Sequence, residues 1–162
     1  NKFQYFIVDF GSIHLIPTLC VYMALLPMIY ALAYSGNELN NLDILAAFLA
    51  IAAVTIQIVS DQQMYNFRKN LSEPKTMKSG LWYYSRHPNY FGEILFWFSL
   101  YVFALASNLS FAWLLIGSII MYALIAIASV SMMDKRSLER RPDFQEYMDS
   151  TPSIFINILK KG

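Results

Sequence analysis

Three stretches of this 162-residue chain contain no Asp, Glu, Lys or Arg: 28 residues between Asp9 and Glu38, 17 from Ile44 to Ser60, and 40 between Glu93 and Asp134. A hydrocarbon core is crossed by about 20 helical residues, so the first run is long enough to span and the second is at the lower limit. The third holds two crossings, because Ser107-Asn108-Leu109-Ser110 interrupts it as a tight turn with Ser110 as helix N-cap. Ordinary soluble domains are about a quarter charged, whereas this chain is 14% charged and 57% apolar. The expected fold is therefore all-α, a polytopic membrane protein with about four transmembrane helices. We place the spans at 14–34, 42–60, 90–106 and 110–132 of a single membrane domain, 1–162, with a polar loop at 61–89 and a polar tail at 133–162. Pro17 and Pro27 inside the first run, and the apolar runs that follow it, set it apart from a signal peptide.

The distribution of basic residues tests this topology, since short translocated loops are poor in Lys and Arg. The turns at Ser35 to Leu42 and Ser107 to Ser110 contain none. All twelve fall in the other segments: Lys2; Arg68, Lys69, Lys75, Lys78 and Arg86; and Lys135, Arg136, Arg140, Arg141, Lys160 and Lys161. With four spans, both termini and the middle loop share one face, expected to be cytosolic, or the matrix side in a mitochondrial membrane. A net charge of +1 supplies no field for nucleic acid. The single cysteine, Cys20, gives no disulfide framework, and no metal site is expected. Asn70 and Asn108 open Asn-x-Ser sequons that read as chance, the first on the basic face and the second in a tight turn. Beginning with Asn1 rather than Met, the sequence reads as processed or as the tail end of a longer chain.

The polar chemistry gathers in three clusters at span ends. In the first, Asp61, Met64, Tyr65 and Arg68 form one stripe if the second helix continues beyond the interface; a solvated helix end is the plainer reading. The second runs from Gly80 to Glu93. Pro88 suits the first turn of a helix, so Arg86 and His87 stand before a helix N-terminus, where free N–H groups, the helix dipole and a guanidinium together favour phosphate or carboxylate. Asn89 and Glu93 share a helix face and could hold an amide, a ribose hydroxyl or Arg86, and a carboxylate so near a membrane helix is a functional suspect. Trp82, Tyr83, Tyr84 and Tyr90 also fit an interfacial aromatic belt. The third cluster, Met132 to Tyr147, adds Arg136, Arg140 and Arg141 for an anionic ligand, although alternating charge alone describes a solvated helix. The tail at Thr151 to Ile156 returns to apolar character and is expected to rest on the bilayer.

The string Gly-Leu-Trp-x-Tyr-Ser-Arg-His-Pro-Asn-Tyr-Phe-Gly-Glu at Gly80 to Glu93 resembles the membrane proteins with a steroid 5-alpha-reductase C-terminal-like domain. So do Asp61-Gln62-Gln63 with Phe67-Arg68, and Glu-Arg-Arg-Pro-x-Phe-x-x-Tyr at Glu139 to Tyr147. The match is nearest to the domain-of-unknown-function branch of that family and runs from about His14 to Phe155. Arg-His-Pro-x-Tyr is shared with the related isoprenylcysteine carboxyl methyltransferases, which bind S-adenosylmethionine. The resemblance implies an NADPH-dependent oxidoreductase acting on a C=C bond of a lipidic or steroid substrate. It implies that Arg68 and Arg86 contact cofactor phosphates, that Trp82, His87, Asn89, Tyr90 and Glu93 line the cofactor groove, and that Asp134 and Tyr147 form its far wall. Met64 stands where the sterol reductases tend to carry a lysine, and family reductases usually have further helices upstream. Two alternatives stay open: an S-adenosylmethionine-dependent membrane methyltransferase, and a non-catalytic accessory subunit of a larger membrane assembly, with small residues such as Ala123, Ala126 and Ser129 packing against other membrane subunits. Expected partners are membrane lipids and, for an enzyme, a lipidic small molecule.

Overall fold

A computed structural model describes residues 1–34, 38–69 and 71–156; it is 81% helix, with no strand among the described residues. Among the described residues four helices are long and apolar enough to cross a membrane: α1 (Ile7–Ala33), α2 (Asn41–Lys69), α4 (Pro88–Ser107) and α5 (Leu109–Arg140). Two short ones, α3 (Leu81–Tyr84) and α6 (Phe144–Ser150), lie in the polar segments. Only 11% of the most apolar window of α1, and likewise of α2, is buried within the protein. Phe48, Ile51 and Ile58 of α2 are all more than 60% exposed, a surface that water penalises and hydrocarbon accepts. Ser35, Gly36 and Asn37 of the first expected turn, the sequon residue Asn70, and Lys160 and Lys161 lie outside the described residues.

The helices outrun the apolar runs. Nothing in Asp61 to Lys69 breaks a helix, and Gln, Met, Arg and Lys all favour one, so α2 carries the start of the polar loop as a helical extension. In the same way α5 continues through Met132 to Arg140. The cap between α4 and α5 is Asn108, not Ser110. Its extended backbone (φ −163°, ψ 126°) lets its side-chain carbonyl accept the Ser110 N–H at 2.8 Å, a reach of two residues that an asparagine makes readily. The first turns of α5 are 3-10, and π-helical turns occupy Phe10–Leu15 of α1 and Leu124–Val130 of α5.

The described residues fall into two compact units, Asn1–Ala47 with Trp97–Leu124, and Phe48–Phe96 with Ile125 onward. In the first unit α1 packs on the early part of α5 through Gly117, whose Cα faces the Met23 carbonyl so closely that a Cβ would come within 2.5 Å of it. Asn40 starts α2 by accepting the Leu42 N–H at 2.8 Å, while the Asp43 carboxylate accepts the Asn40 N–H at 2.9 Å, a reciprocal cap. Tyr30, Tyr34, Phe111 and Trp113 form an aromatic cluster with ring centroids 5.1 to 6.0 Å apart. The second unit holds the polar clusters.

Candidate functional site

The motif segment is shaped first by two glycines. Gly80 has φ +64°, and the Gln63 side chain occupies the space where a Cβ would stand. Gln63 Oε1 then accepts the Leu81 N–H at 3.0 Å, satisfying one of the free donors of α3. Gly92, one turn into α4, lies against the Ala53 carbonyl and Gln57 of α2, where a Cβ would come within 2.8 Å. These motif residues are packing devices. Trp82 is buried and donates its indole N–H to the Ser60 carbonyl at 3.0 Å, so it is not part of an interfacial belt. Pro88 opens α4 as its spacing predicts.

The C-terminal segment is tied to this loop. Ser85 Oγ donates to the Ile154 carbonyl at 2.8 Å, and the Arg86 N–H to the Pro152 carbonyl at 2.9 Å. The Tyr147 hydroxyl donates to the carbonyls of Trp82 and Ser85, and burial pushes that phenol above the ordinary tyrosine range. Asp143 accepts from the Thr76 hydroxyl at 2.9 Å, and Lys78 pairs with Glu146 at 3.0 Å. The tail from Thr151 to Ile156 is thus held by the protein as well: Thr151 and Ile154 are buried, and Phe155 is mostly exposed. The Ser85 hydroxyl and the Arg86 backbone N–H needed partners, and the tail carbonyls supply them.

At the centre, Asp134 of α5 bridges two motif residues. Its Oδ2 stands 3.0 Å from Arg86 Nη2 and its Oδ1 2.8 Å from His87 Nε2, with all three side chains about nine-tenths buried. The carboxylate accepts, so Nε2 carries the proton and Nδ1 is left to other partners. The sequence offered Asn89 or Glu93 as holders of Arg86; Asp134 and the Met148 carbonyl, 3.1 Å from Nη1, take that role instead. The His87 ring stacks on Tyr90, centroids 5.5 Å apart.

Beside this bridge opens a cavity of about 400 Å³, of the size of small-molecule sites. Of the residues picked from sequence, Arg68, Trp82, Arg86, His87, Asn89, Tyr90 and Tyr147 line it. Glu93 does not, lying one turn further along α4, and Asp134 sits behind the wall, where it holds Arg86 and His87. From the α2 stripe Asp61, Met64 and Arg68 face the cavity, while Tyr65 points elsewhere and is 62% exposed. Arg136, Arg140 and Arg141 face it from the third cluster, with Phe144 beneath the Arg141 guanidinium at 5.8 Å. Burial, then the neighbouring Arg68, lowers the Arg141 guanidinium from its ordinary range. Met133 and Ser137 of α5 also line it, as do Thr76 and Met77 from an irregular loop with no periodicity to reveal them. Arg86 Nε and Asn89 Oδ1 are buried with no hydrogen-bond partner in the protein, a donor and an acceptor available to a ligand.

"Uncharacterized protein C594.04c" of Schizosaccharomyces pombe is 26% identical over 182 aligned positions, which cover 95% of this chain and 51% of that protein. The chain thus spans about half the length of this curated relative. No solved structure matches it. A family model described as "Protein of unknown function (DUF1295)" matches residues 2–151, nearly the whole chain, and the protein belongs to that family.

Proposed function

We infer that this chain holds the dinucleotide of an integral membrane NADPH-dependent oxidoreductase, one that reduces a conjugated or activated C=C bond in a lipidic substrate. The observation that carries the reading is the charge of the cavity. Arg68, Arg136, Arg140 and Arg141 converge on it, and none is salt-bridged to a described carboxylate. Guanidiniums crowded together in this way repel one another until an anion joins them, and the fork geometry of arginine suits phosphate. NADPH carries several phosphate charges, whereas S-adenosylmethionine carries a sulfonium cation that such a cavity disfavours.

The residues fit such a ligand. Arg68, Arg140 and Arg141 hold phosphate oxygens, and Tyr90 and Trp82 give flat walls for a ring. The Asn89 carbonyl accepts a hydrogen bond and Arg86 Nε donates one. Asp134 keeps Arg86 and His87 oriented. Bound there, the reduced nicotinamide supplies a hydride. The substrate pocket and proton donor are proposed to be shared with segments of a longer protein, as the half-length match to the fungal relative suggests. By the positive-inside rule we assign the basic face, with this cavity, to the cytosolic side, or to the matrix side in a mitochondrial membrane.

Thermal shift of detergent-purified protein tests the reading, with NADPH and S-adenosylmethionine in separate arms and Arg140→Ala as control. A ligand at a hundred times its dissociation constant adds about 2.7 kcal/mol. The expected result is a shift with NADPH that the variant reduces. A shift with S-adenosylmethionine alone makes the protein a methyltransferase, and no shift with either leaves an accessory subunit.

A further inference from the structure

A second cavity, of about 430 Å³, shares Met64 and three arginines with the first. Arg68, Arg140 and Arg141 line both cavities, and Lys75 belongs to the second alone. Its remaining wall differs in kind: Phe67, Leu71 and Pro74 make it apolar where the first cavity is hydrogen-bonding. None of the four cations is salt-bridged to a described carboxylate. A single dinucleotide in the first cavity leaves Lys75 and this apolar wall unused. The segment also lies just past the apolar run of α2, where a membrane helix meets lipid headgroups.

We propose that the second cavity, formed by Lys75, Arg68, Arg140 and Arg141 against Phe67 and Leu71, binds a phosphate-class anion, with an apolar wall that fits one carried on an acyl chain. The guanidiniums and the ammonium take the phosphate oxygens, and the apolar side chains take the first carbons of the chain. Because three arginines serve both cavities, an anion in one alters the affinity of the other, and by the same factor in each direction. This proposal does not require the first ligand to be NADPH.

The test is native mass spectrometry of the full chain released from detergent with dioleoyl phosphatidylglycerol or dioleoyl phosphatidylcholine, and separately with inorganic pyrophosphate. The Lys75→Gln variant alters an exposed side chain, so folding is preserved. Preferential retention of phosphatidylglycerol, weakened about fivefold in the variant, supports a lipid headgroup as the source. Lys75-dependent binding of pyrophosphate without a lipid preference supports the anion site with a soluble phosphate compound as its source. Equal retention of both lipids with no pyrophosphate binding overturns the proposal. Lys75→Gln leaves an NADPH thermal shift in place, so loss of lipid preference and loss of nucleotide binding are read separately.

Discussion

Asp134 Oδ1 and His87 Nε2 stand 2.8 Å apart across 47 residues of sequence, and the other oxygen of the same carboxylate holds Arg86 at 3.0 Å. One acid on α5 therefore sets the orientation of both basic residues of the Arg-His-Pro segment. Without it, a guanidinium and an imidazole would be buried side by side with no counter-charge.

Removing Asp134 should be costly for that reason. Breaking a buried ion pair from one side typically costs about 3 to 5 kcal/mol, because the remaining charge stays buried. Asp134→Ala is expected to lower the unfolding free energy in detergent by an amount of that order, with Asp134→Asn intermediate because it keeps one acceptor. A loss below about 1 kcal/mol for Asp134→Ala would mean that Arg86 reaches water when its partner is gone.

Arg140→Ala removes one of four converging cations without touching the bridge. A lost charge-assisted hydrogen bond is worth about 1.5 to 3 kcal/mol, so NADPH affinity should fall by about tenfold or more. Added salt should weaken binding to the unaltered protein more than to the variant. Titration calorimetry at two ionic strengths checks both.

Tyr147 links stability to alkaline pH. Burial raises its phenol above the unfolded value, so the folded state favours the protonated form. Its contribution is complete below the unfolded value of about 10 and is lost as pH rises from there towards the folded one. The unfolding midpoint should therefore decline above about pH 10. Tyr147→Phe should start lower, by about 1 kcal/mol for the lost hydrogen bonding, and show a flatter alkaline limb. Equal slopes for the two proteins would refute this role of the phenol.

Two glycines in the first unit should respond in opposite ways. At Gly117 a Cβ would stand 2.5 Å from the Met23 carbonyl, so Gly117→Ala must push two helices apart and should cost about 1 to 3 kcal/mol. Gly11 has nothing within 4 Å of its Cβ position, and Gly11→Ala should be neutral or should gain up to about 1 kcal/mol from helix propensity. Unfolding in mixed micelles compares them directly.

The membrane-length helices were legible because charge-free runs and the cost of burying charge in hydrocarbon act locally along the chain. Pro88 marked the start of α4 by the same local logic. The cap at Asn108 was missed because Asn108 and Ser110, two residues apart, both suit a cap, and only backbone geometry distinguishes them. Arg68, Arg86, His87 and Asn89 were legible as cavity residues through their motif and their place at helix ends. The contributions of Thr76 and Met77 were not, since a loop residue's position depends on what it packs against.

What the sequence determined alone was the number and rough place of the apolar helices, and the gathering of cationic side chains at their polar ends. Those are properties of consecutive residues: periodicity, run length and charge. What only the tertiary structure decided was pairing. It assigned Arg86 to Asp134 rather than to Asn89 or Glu93, gave His87 the same partner, used Gly92 as a seat for α2, and fastened the tail to Ser85 and Arg86. Each of these joins groups far apart in the chain, where burial leaves a polar atom one nearby partner and nothing in local sequence says which segment will supply it.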